Sequence, residues 1–264
     1  MYDLPALQAS LAGTIFAGKL HFTSVTGSTN ADALAAAREG ASHGSVFLAG
    51  EQTAGRGRGN HSWISTAGDG LYVSILVRPE VPAARLPLLP LAAGLAAADA
   101  IHSVSGLSVD LRWPNDLLIG PRKCGGILVE ALPPSKAPLH AMAVVIGVGI
   151  NVHQRQFPAD LATPATSLDL EAGKNISRQS LLVALLKSLE REASMLANEA
   201  AAKQIPARVE QASTWIRGRS VEVHGPQACT GVTAGLDEDG FLRVQTAGGL
   251  VTVQTGGLRE TSSQ

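Results

Sequence analysis

Two arginines alternate with three glycines in segment 55–63, which reads Gly-Arg-Gly-Arg-Gly-Asn-His-Ser-Trp. Glycine has no Cβ, so its backbone can approach a ligand closely and can adopt positive φ. The guanidinium groups of Arg56 and Arg58 present forks of donors that match carboxylate and phosphate oxygens. The segment therefore predicts a loop that binds an anion, most naturally a phosphate. Taken alone, it is as typical of a flexible, solvated basic turn.

Segment 112–116, which reads Arg-Trp-Pro-Asn-Asp, is a second candidate for chemistry. Pro114 cannot donate to a central sheet ladder, so a strand is expected to end or kink there. Asn115 and Asp116 would then be exposed at the strand end. In isolation the same residues are typical of an ordinary turn.

Lys123 stands just before the glycine pair Gly125-Gly126 and a buried apolar run. This placement directs its ammonium group into a pocket whose wall is bare backbone, although a solvated hairpin lysine fits the pattern equally well. Segment 147–152 reads Gly-Val-Gly-Ile-Asn-Val and is either another glycine-lined wall or a core strand with a bulge.

Ser28, Thr29 and Asn30 precede an alanine-rich helix. Thr29 with Asp32 predicts a capping box, which alone would explain the hydroxyl. A helix N-terminus is also a suitable place for an anionic or polar ligand group.

Helices and strands alternate along the chain. Apolar spacing, caps and turn residues predict helices at 31–39, 90–103 and 178–199 and strands at 71–77, 109–111, 117–119, 126–132 and 141–152. Pro133-Pro134-Ser135 predicts a hairpin-like connection, and Asp239-Gly240 predicts a hairpin in an all-β tail that begins near residue 218.

Composition describes an ordinary globular protein of one or two domains, with 264 residues, 45% of them hydrophobic, and a net charge of −1. That charge provides no overall attraction to nucleic acid. Cys124 and Cys229 do not suggest a disulfide scaffold, and the first ten residues lack the pattern of a signal peptide, so a cytoplasmic enzyme is expected. No Walker or Rossmann fingerprint and no zinc-ligand spacing is present.

The ordered set of segments resembles biotin–protein ligase, also called biotin–[acetyl-CoA-carboxylase] ligase. The matching pieces are Ser28-Thr29-Asn30, 52–58, Trp63, 113–116, Lys123, 126–130 and 147–151. The resemblance implies an α+β fold: a mixed β-sheet catalytic domain flanked by helices, of the class II synthetase-like biotin/lipoate ligase type, at 1–216, and a small SH3-like β-barrel at 217–264. It implies the short form without a DNA-binding domain, so no repressor activity is expected.

The same resemblance implies activation of biotin by ATP and Mg²⁺ to biotinyl-5′-AMP, followed by transfer to a lysine of a biotin carboxyl carrier domain. No DNA or membrane partner is expected, and a homodimer is compatible with the sequence. The implied catalytic residues are Arg58, Lys123 and Asp116, with Asp116 orienting or deprotonating the acceptor lysine. The implied biotin-binding residues are Ser28, Thr29, Asn30, Gln52, Gly55, Arg56, Gly57, Arg58, Lys123 and Gly126. The implied ATP-binding residues are Arg58, Trp63, Asn115, Lys123 and Asn151, with Trp63 covering the adenylate; no metal ligands are assigned.

Two departures from the family pattern concern the predicted site. Gly59-Asn60-His61 stands where a glycine and a basic residue are usual, and Arg112 stands where lysine is usual. Lipoate–protein ligase is the alternative enzyme, and an RNA-binding protein that uses the Gly/Arg loop is the alternative of a different class.

Overall fold

The computed structural model describes residues 2–59, 61–132 and 142–261, and these residues form two β-sheets and seven α-helices. The predicted connection at Pro133-Pro134-Ser135 lies outside the described residues. The helices are α1 (Leu4–Ser10), α2 (Thr29–Arg38), α3 (Leu89–Ser105), α4 (Leu168–Ala172), α5 (Arg178–Ala197), α6 (Glu199–Ala202) and α7 (Ile205–Gln211), with a 3₁₀ helix at Ala83–Leu88 before α3.

The larger sheet has seven strands and carries the glycine segments. Its strands are β1 (Leu20–Thr26), β2 (Ser45–Gln52), β3 (Gly70–Val77), β4 (Asp110–Arg112), β5 (Asp116–Ile119), β6 (Arg122–Leu132) and β7 (Ala143–Asn151). Their order is β1-β2-β3-β7-β6-β5-β4. Only the β1–β2 pairing is parallel among the described strands, so the sheet is mixed, as predicted.

The second sheet is antiparallel and has five strands. These are β8 (Arg217–His224), β9 (Cys229–Leu236), β10 (Leu242–Thr246), β11 (Gly249–Val253) and β12 (Gly257–Glu260), in the order β11-β10-β9-β8-β12. The predicted turn at Asp239-Gly240 connects β9 to β10, and Gly240 has φ +83°. The arrangement is consistent with an SH3-like domain, while the division at residue 216 into two domains stays a prediction.

A large hydrophobic core connects the two sheets with the helices other than α2, and a second, smaller cluster packs Ala33 and Ala37 of α2 against the larger sheet. Helix α3 packs against α5, and ten of its residues, from Leu89 to Ile101, are buried. The segment Ala83–Ser105 is long and apolar enough by composition to cross a membrane. Its burial inside this core accounts for that composition.

The predicted elements are present, with shifts at their ends. Helix α2 begins at Thr29 rather than Ala31, because Ser28 is the N-cap residue. Ser28 makes no side-chain capping bond, and Asp32 accepts a hydrogen bond from Thr26 Oγ1 at 2.7 Å. The predicted capping box is therefore wrong. Helix α5 ends at Ala197 rather than Glu199, because the side chain of Asn198 caps the next helix.

Candidate functional site

A cavity of about 790 Å³ opens between the larger sheet, the second sheet and segment 55–63, which is called the arginine loop below. This volume is within the range of small-molecule and cofactor sites. The predicted residues that line it are Ser28, Thr29, Asn30, Gln52, Arg56, Gly57, Arg58, Trp63, Asn115, Asp116, Lys123, Gly126 and Asn151. Gly55 is the exception. It is buried under the returning chain, where an added Cβ would lie 2.3 Å from the Trp63 carbonyl oxygen, and its contact with a ligand stays a prediction.

Bare backbone forms one wall of this cavity. Gly126 on β6 pairs directly with Gly149 on β7, and Gly147 lies two residues before Gly149 on the same face of the strand. All three glycines line the cavity. The Asn30 side chain lies over Gly147 and the Trp63 ring lies over Gly149, so the missing Cβ atoms let these two side chains approach the sheet closely.

An uncharged polar pocket lies at the start of α2. The Gln52 Oε1 accepts from the Thr29 backbone N at 2.8 Å and from Thr29 Oγ1 at 3.1 Å. Thr29 Oγ1 is 2.7 Å from Ser74 Oγ, which donates to Asn30 Oδ1 at 2.5 Å. Ser74, opposite Gly147 in the β3–β7 register, was not predicted from the sequence. The network fixes these side chains in one orientation, as recognition of a polar ring requires.

Both loop arginines contact other parts of the chain. Arg56 pairs with the Glu130 carboxylate on β6, which also accepts from Asn30 Nδ2 at 2.9 Å. Arg58 donates to the Gly256 carbonyl and to the Thr255 hydroxyl, between β11 and β12. The loop closes on itself through Gly57 N to His61 O and Trp63 N to Gly55 O, each 2.8 Å long. The departure at Asn60 lies outside the described residues.

Lys123 is aimed by an irregularity in β6. The β5–β6 register shifts between Leu117 and Leu118, which places Cys124 as an extra residue in β6. Such a bulge re-aims the neighbouring side chain. The backbone of Lys123 also bonds to segment 164–166, with N to Pro164 O at 2.8 Å. The Lys123 ammonium lies 5.5 Å from the centroid of the Trp63 ring and lines the cavity.

Asp116 is held between two cations. Its Oδ1 is 2.5 Å from Lys123 Nζ, and its Oδ2 is 2.6 Å from Arg112 Nη2. Burial raises the pKa of the carboxyl, but the charges and hydrogen bonds of Lys123 and Arg112 outweigh burial, and the pKa lies below its ordinary value. An ionised carboxylate with a low pKa is a weak base. This placement argues against the predicted role of Asp116 in deprotonating the acceptor lysine and favours an orienting role toward Lys123.

Positive charge predominates in the cavity. Burial lowers the pKa of the Arg58 guanidinium, and the negative charge of Asp116 opposes that effect. Arg58 and Lys123 thus lie in the same cavity near one carboxylate, together with Arg112. Three cations against one neighbouring carboxylate leave an excess of positive charge, which suits a polyanionic ligand.

The remaining predicted nucleotide contacts bond to the protein backbone. Asn115 Nδ2 donates to the Ile127 carbonyl at 2.8 Å, and Asn151 Nδ2 donates to the Thr166 carbonyl at 3.0 Å. Trp63 lies over the glycine wall, where a Cβ added to Gly149 would be 2.7 Å from its ring. Its buried Nε1 has no hydrogen-bond partner among the described residues.

Besides Ser74, the sequence did not predict several other residues at the cavity. Glu130 does not line it but connects the lining residues Arg56 and Asn30. The lining also includes residues between 154 and 165, and the second sheet supplies segments 224–226 and 255–259. Glu130 stands inside a matching motif, so its position was available from the sequence. The C-terminal segments carry no motif, and only the docking of the second sheet brings them to the site.

Asp116 is the one carboxylate in the described lining of the cavity that could bind Mg²⁺. The described residues contain no group of three His, Cys, Asp or Glu side chains that could hold a metal ion. Asp116 is already engaged by Lys123 and Arg112. No Mg²⁺ ligand is therefore assigned among the described side chains.

Comparison with known proteins identifies the family. The model of the biotin/lipoate A/B protein ligase family matches residues 23–151. The biotin–[acetyl-CoA-carboxylase] ligase of Mycobacterium tuberculosis is 37% identical over 245 residues, which cover 90% of this chain and 87% of that protein. The bifunctional ligase/repressor BirA of Bacillus spizizenii is 36% identical over 174 residues, 65% of this chain, and the match spans only 53% of that longer protein.

Solved structures agree with the sequence relatives. Biotin protein ligase from Aquifex aeolicus in complex with biotin and ATP superimposes with a TM-score of 0.79 at 29% identity, covering 93% of this chain and all of that one. The predicted fold class, a mixed sheet flanked by helices with a small C-terminal β-sheet, is thereby confirmed. The length and identity of the match to the Mycobacterium tuberculosis ligase show that this chain belongs to the biotin/lipoate A/B protein ligase family.

Proposed function

We propose that this chain is a biotin–protein ligase that activates biotin with ATP and transfers it to one lysine of a biotin carboxyl carrier domain, in the cytoplasm. The observation that carries the proposal is one cavity whose lining includes both Arg58 and Lys123, together with a polar pocket and a glycine wall. The names of the relatives support the choice of biotin as the acid.

In the first step a carboxylate oxygen of biotin bonds to the α-phosphorus of ATP. The bond from that phosphorus to the bridging oxygen breaks, and pyrophosphate leaves. Two anions must approach each other, so the site has to neutralise charge and hold the line of attack. Arg58 and Lys123 provide this charge. We expect Thr29, Gln52 and Asn30 to bind the ureido ring and the glycine wall to accept the apolar part of biotin.

In the second step the acceptor lysine attacks the acyl carbon of biotinyl-AMP, and AMP leaves. Its amine has an ordinary pKa of about 10.4 and must first lose a proton. We assign that proton to solvent, because both oxygens of Asp116 are engaged. Trp63 and the arginine loop cover the anhydride and limit its hydrolysis. Mg²⁺ would be bound with the phosphates of ATP and would offset part of their negative charge.

Exchange of labelled pyrophosphate into ATP tests the first step directly. We expect exchange that depends on biotin, and release of AMP when a biotin carboxyl carrier domain is added. Lipoate in the same assay is the matched competitor. Exchange with lipoate but none with biotin would show that the chain activates lipoate instead. Exchange with neither acid would overturn the proposal.

A further inference from the structure

A column of stacked side chains connects the second sheet to Lys123. The Arg219 Cζ on β8 lies 4.5 Å from the centroid of the Trp215 ring, and the Arg112 Cζ lies 5.1 Å from it. Arg112 then donates to Asp116 Oδ2 from Nε at 3.1 Å and from Nη2 at 2.6 Å. The other oxygen of Asp116 is 2.5 Å from Lys123 Nζ.

Arg112 is fixed on several sides. Arg112 is 8% exposed and Trp215 is 6% exposed, so both lie inside the protein. Arg112 Nη2 also donates to Thr163 Oγ1 at 2.9 Å. The chain before Trp215 bonds along β4, with Leu111 N to Ala212 O at 3.0 Å and Thr214 N to Asp110 Oδ1 at 2.8 Å. The ring that stacks on the guanidinium is thus tied to the same strand that carries Arg112.

We propose that Arg112 and Trp215 are positioning residues for Lys123: Trp215 holds the guanidinium of Arg112, Arg112 holds Asp116, and Asp116 fixes the direction of the Lys123 ammonium. Trp215 acts without lining the cavity. Arginine suits this position because its planar guanidinium can stack on Trp215 and also donate two hydrogen bonds to Asp116. An ammonium group cannot do both. The assignment of Lys123 as the group being positioned rests on the proposed function.

The column predicts a pH-dependent consequence. The charged groups that face Asp116 are Arg112 on β4, Lys123 on β6 and Arg58 on the loop, and the buried Cys124 thiol is the other titratable group near it. Loss of the Arg112 charge raises the pKa of Asp116 toward or above its ordinary value. As the pH falls, activity that needs the ionised carboxylate is then lost at a higher pH than in wild type.

Carbon-13 NMR of aspartate carboxyl groups measures this shift without any reaction. We expect a higher Asp116 pKa in Arg112→Gln and a pKa near the wild-type value in Arg112→Lys. Arg178→Gln is the matched control, because Arg178 stacks on Tyr2 at 5.1 Å and lies outside the cavity lining. An Asp116 pKa that stays the same in Arg112→Gln would overturn the inference.

Pyrophosphate exchange measures the catalytic consequence. Arg112→Gln is expected to lower kcat by about a hundredfold, the order that misplacement of a catalytic group by roughly 1 Å can cost. The acid limb of its pH–rate profile should move to higher pH. In Arg112→Lys, the acid limb should lie close to its wild-type position. A general loss of folded enzyme would lower the amplitude without moving the limb.

A double-mutant cycle tests Trp215. If Trp215 acts through Arg112, the single substitution Trp215→Leu lowers kcat. In protein that already carries Arg112→Gln, the same substitution causes no further loss of kcat. Trp215→Phe, which keeps an aromatic ring, is the milder variant should the leucine variant not fold. Additive losses would remove Trp215 from the proposal. If wild type shows no biotin-dependent exchange while the Asp116 pKa still shifts, the proposed function fails and the ion-pair column stands.

Discussion

Both carboxylate oxygens of Asp116 are engaged by cations, one by Arg112 and the other by Lys123. The residue is therefore better placed to fix a cation for the first step than to accept a proton in the second. The sequence predicted residues that, apart from Gly55, line one cavity, because short motifs carry them; their roles stay predictions. It did not predict the two ion pairs of Asp116, because Arg112 and Lys123 approach it only after β4, β5 and β6 pair.

Asp116→Asn tests this role. The amide keeps the size of the side chain but loses the charge that holds Lys123, so the rate of biotin-dependent pyrophosphate exchange should fall by about tenfold or more. Transfer from biotinyl-AMP supplied in excess to the carrier domain should fall much less. Asp160→Asn, on an exposed residue outside the cavity lining, is the control. A variant impaired only in transfer would restore the proton-accepting role.

At the scale of elements, the site depends on a close approach between α2 and the larger sheet. Asn30 in the first turn of α2 lies over Gly147 on β7 and bonds to Ser74 on β3. The helices and central strands were predictable from apolar spacing and turn residues. The start of α2 was not, because Ser28 and Thr29 are both good N-cap types and only the packed structure distinguishes them.

Gly147→Ala should disrupt this approach. A Cβ there would be 2.1 Å from Asn30 Oδ1, so the Asn30 side chain must move away from Ser74 and Glu130. We expect KM for biotin to rise by about tenfold or more, since the polar groups that fix the ligand lose their alignment. Steady-state kinetics with biotin as the varied substrate measures the effect.

Gly248→Ala is the control for this substitution. Gly248 is exposed, and the nearest atom to an added Cβ is Thr246 Oγ1 at 3.7 Å, an ordinary contact. Its KM for biotin should equal that of wild type. An unchanged KM in Gly147→Ala would remove Asn30 from the predicted binding set.

At the scale of the whole molecule, the second sheet completes the site and docks on α3. Trp113 Nε1 donates to the Gly240 carbonyl at 3.1 Å, and Gly240 packs against Leu88 and Leu91. The sequence predicted the small β unit from its turns. Its contribution to the cavity could not be predicted, because contacts such as Arg58 to Thr255 join residues about 200 positions apart and carry no local pattern.

Gly240→Ala should weaken this docking. Gly240 has φ +83°, and an added Cβ would be 2.6 Å from Leu91 Cδ1. The left-handed backbone costs about 1 kcal/mol for alanine. Overpacking adds about 1–3 kcal/mol. Gly173→Ala is the matched control, because Gly173 has φ +63° and no atom within 4 Å of an added Cβ. Urea unfolding should show the larger loss for Gly240→Ala, and equal losses would refute the docking contact.

The proposed first step depends on Arg58 and Lys123, which neutralise two mutually repelling anions in one cavity. The most direct test is the rate of biotin-dependent pyrophosphate exchange in Lys123→Gln, with Lys187→Gln on an exposed face of α5 as the control. We expect a fall in kcat of about 10²–10³ for Lys123→Gln, as for loss of one preorganised electrostatic contact, and a wild-type rate for the control. A Lys123→Gln variant that exchanges pyrophosphate at the wild-type rate would contradict this expectation.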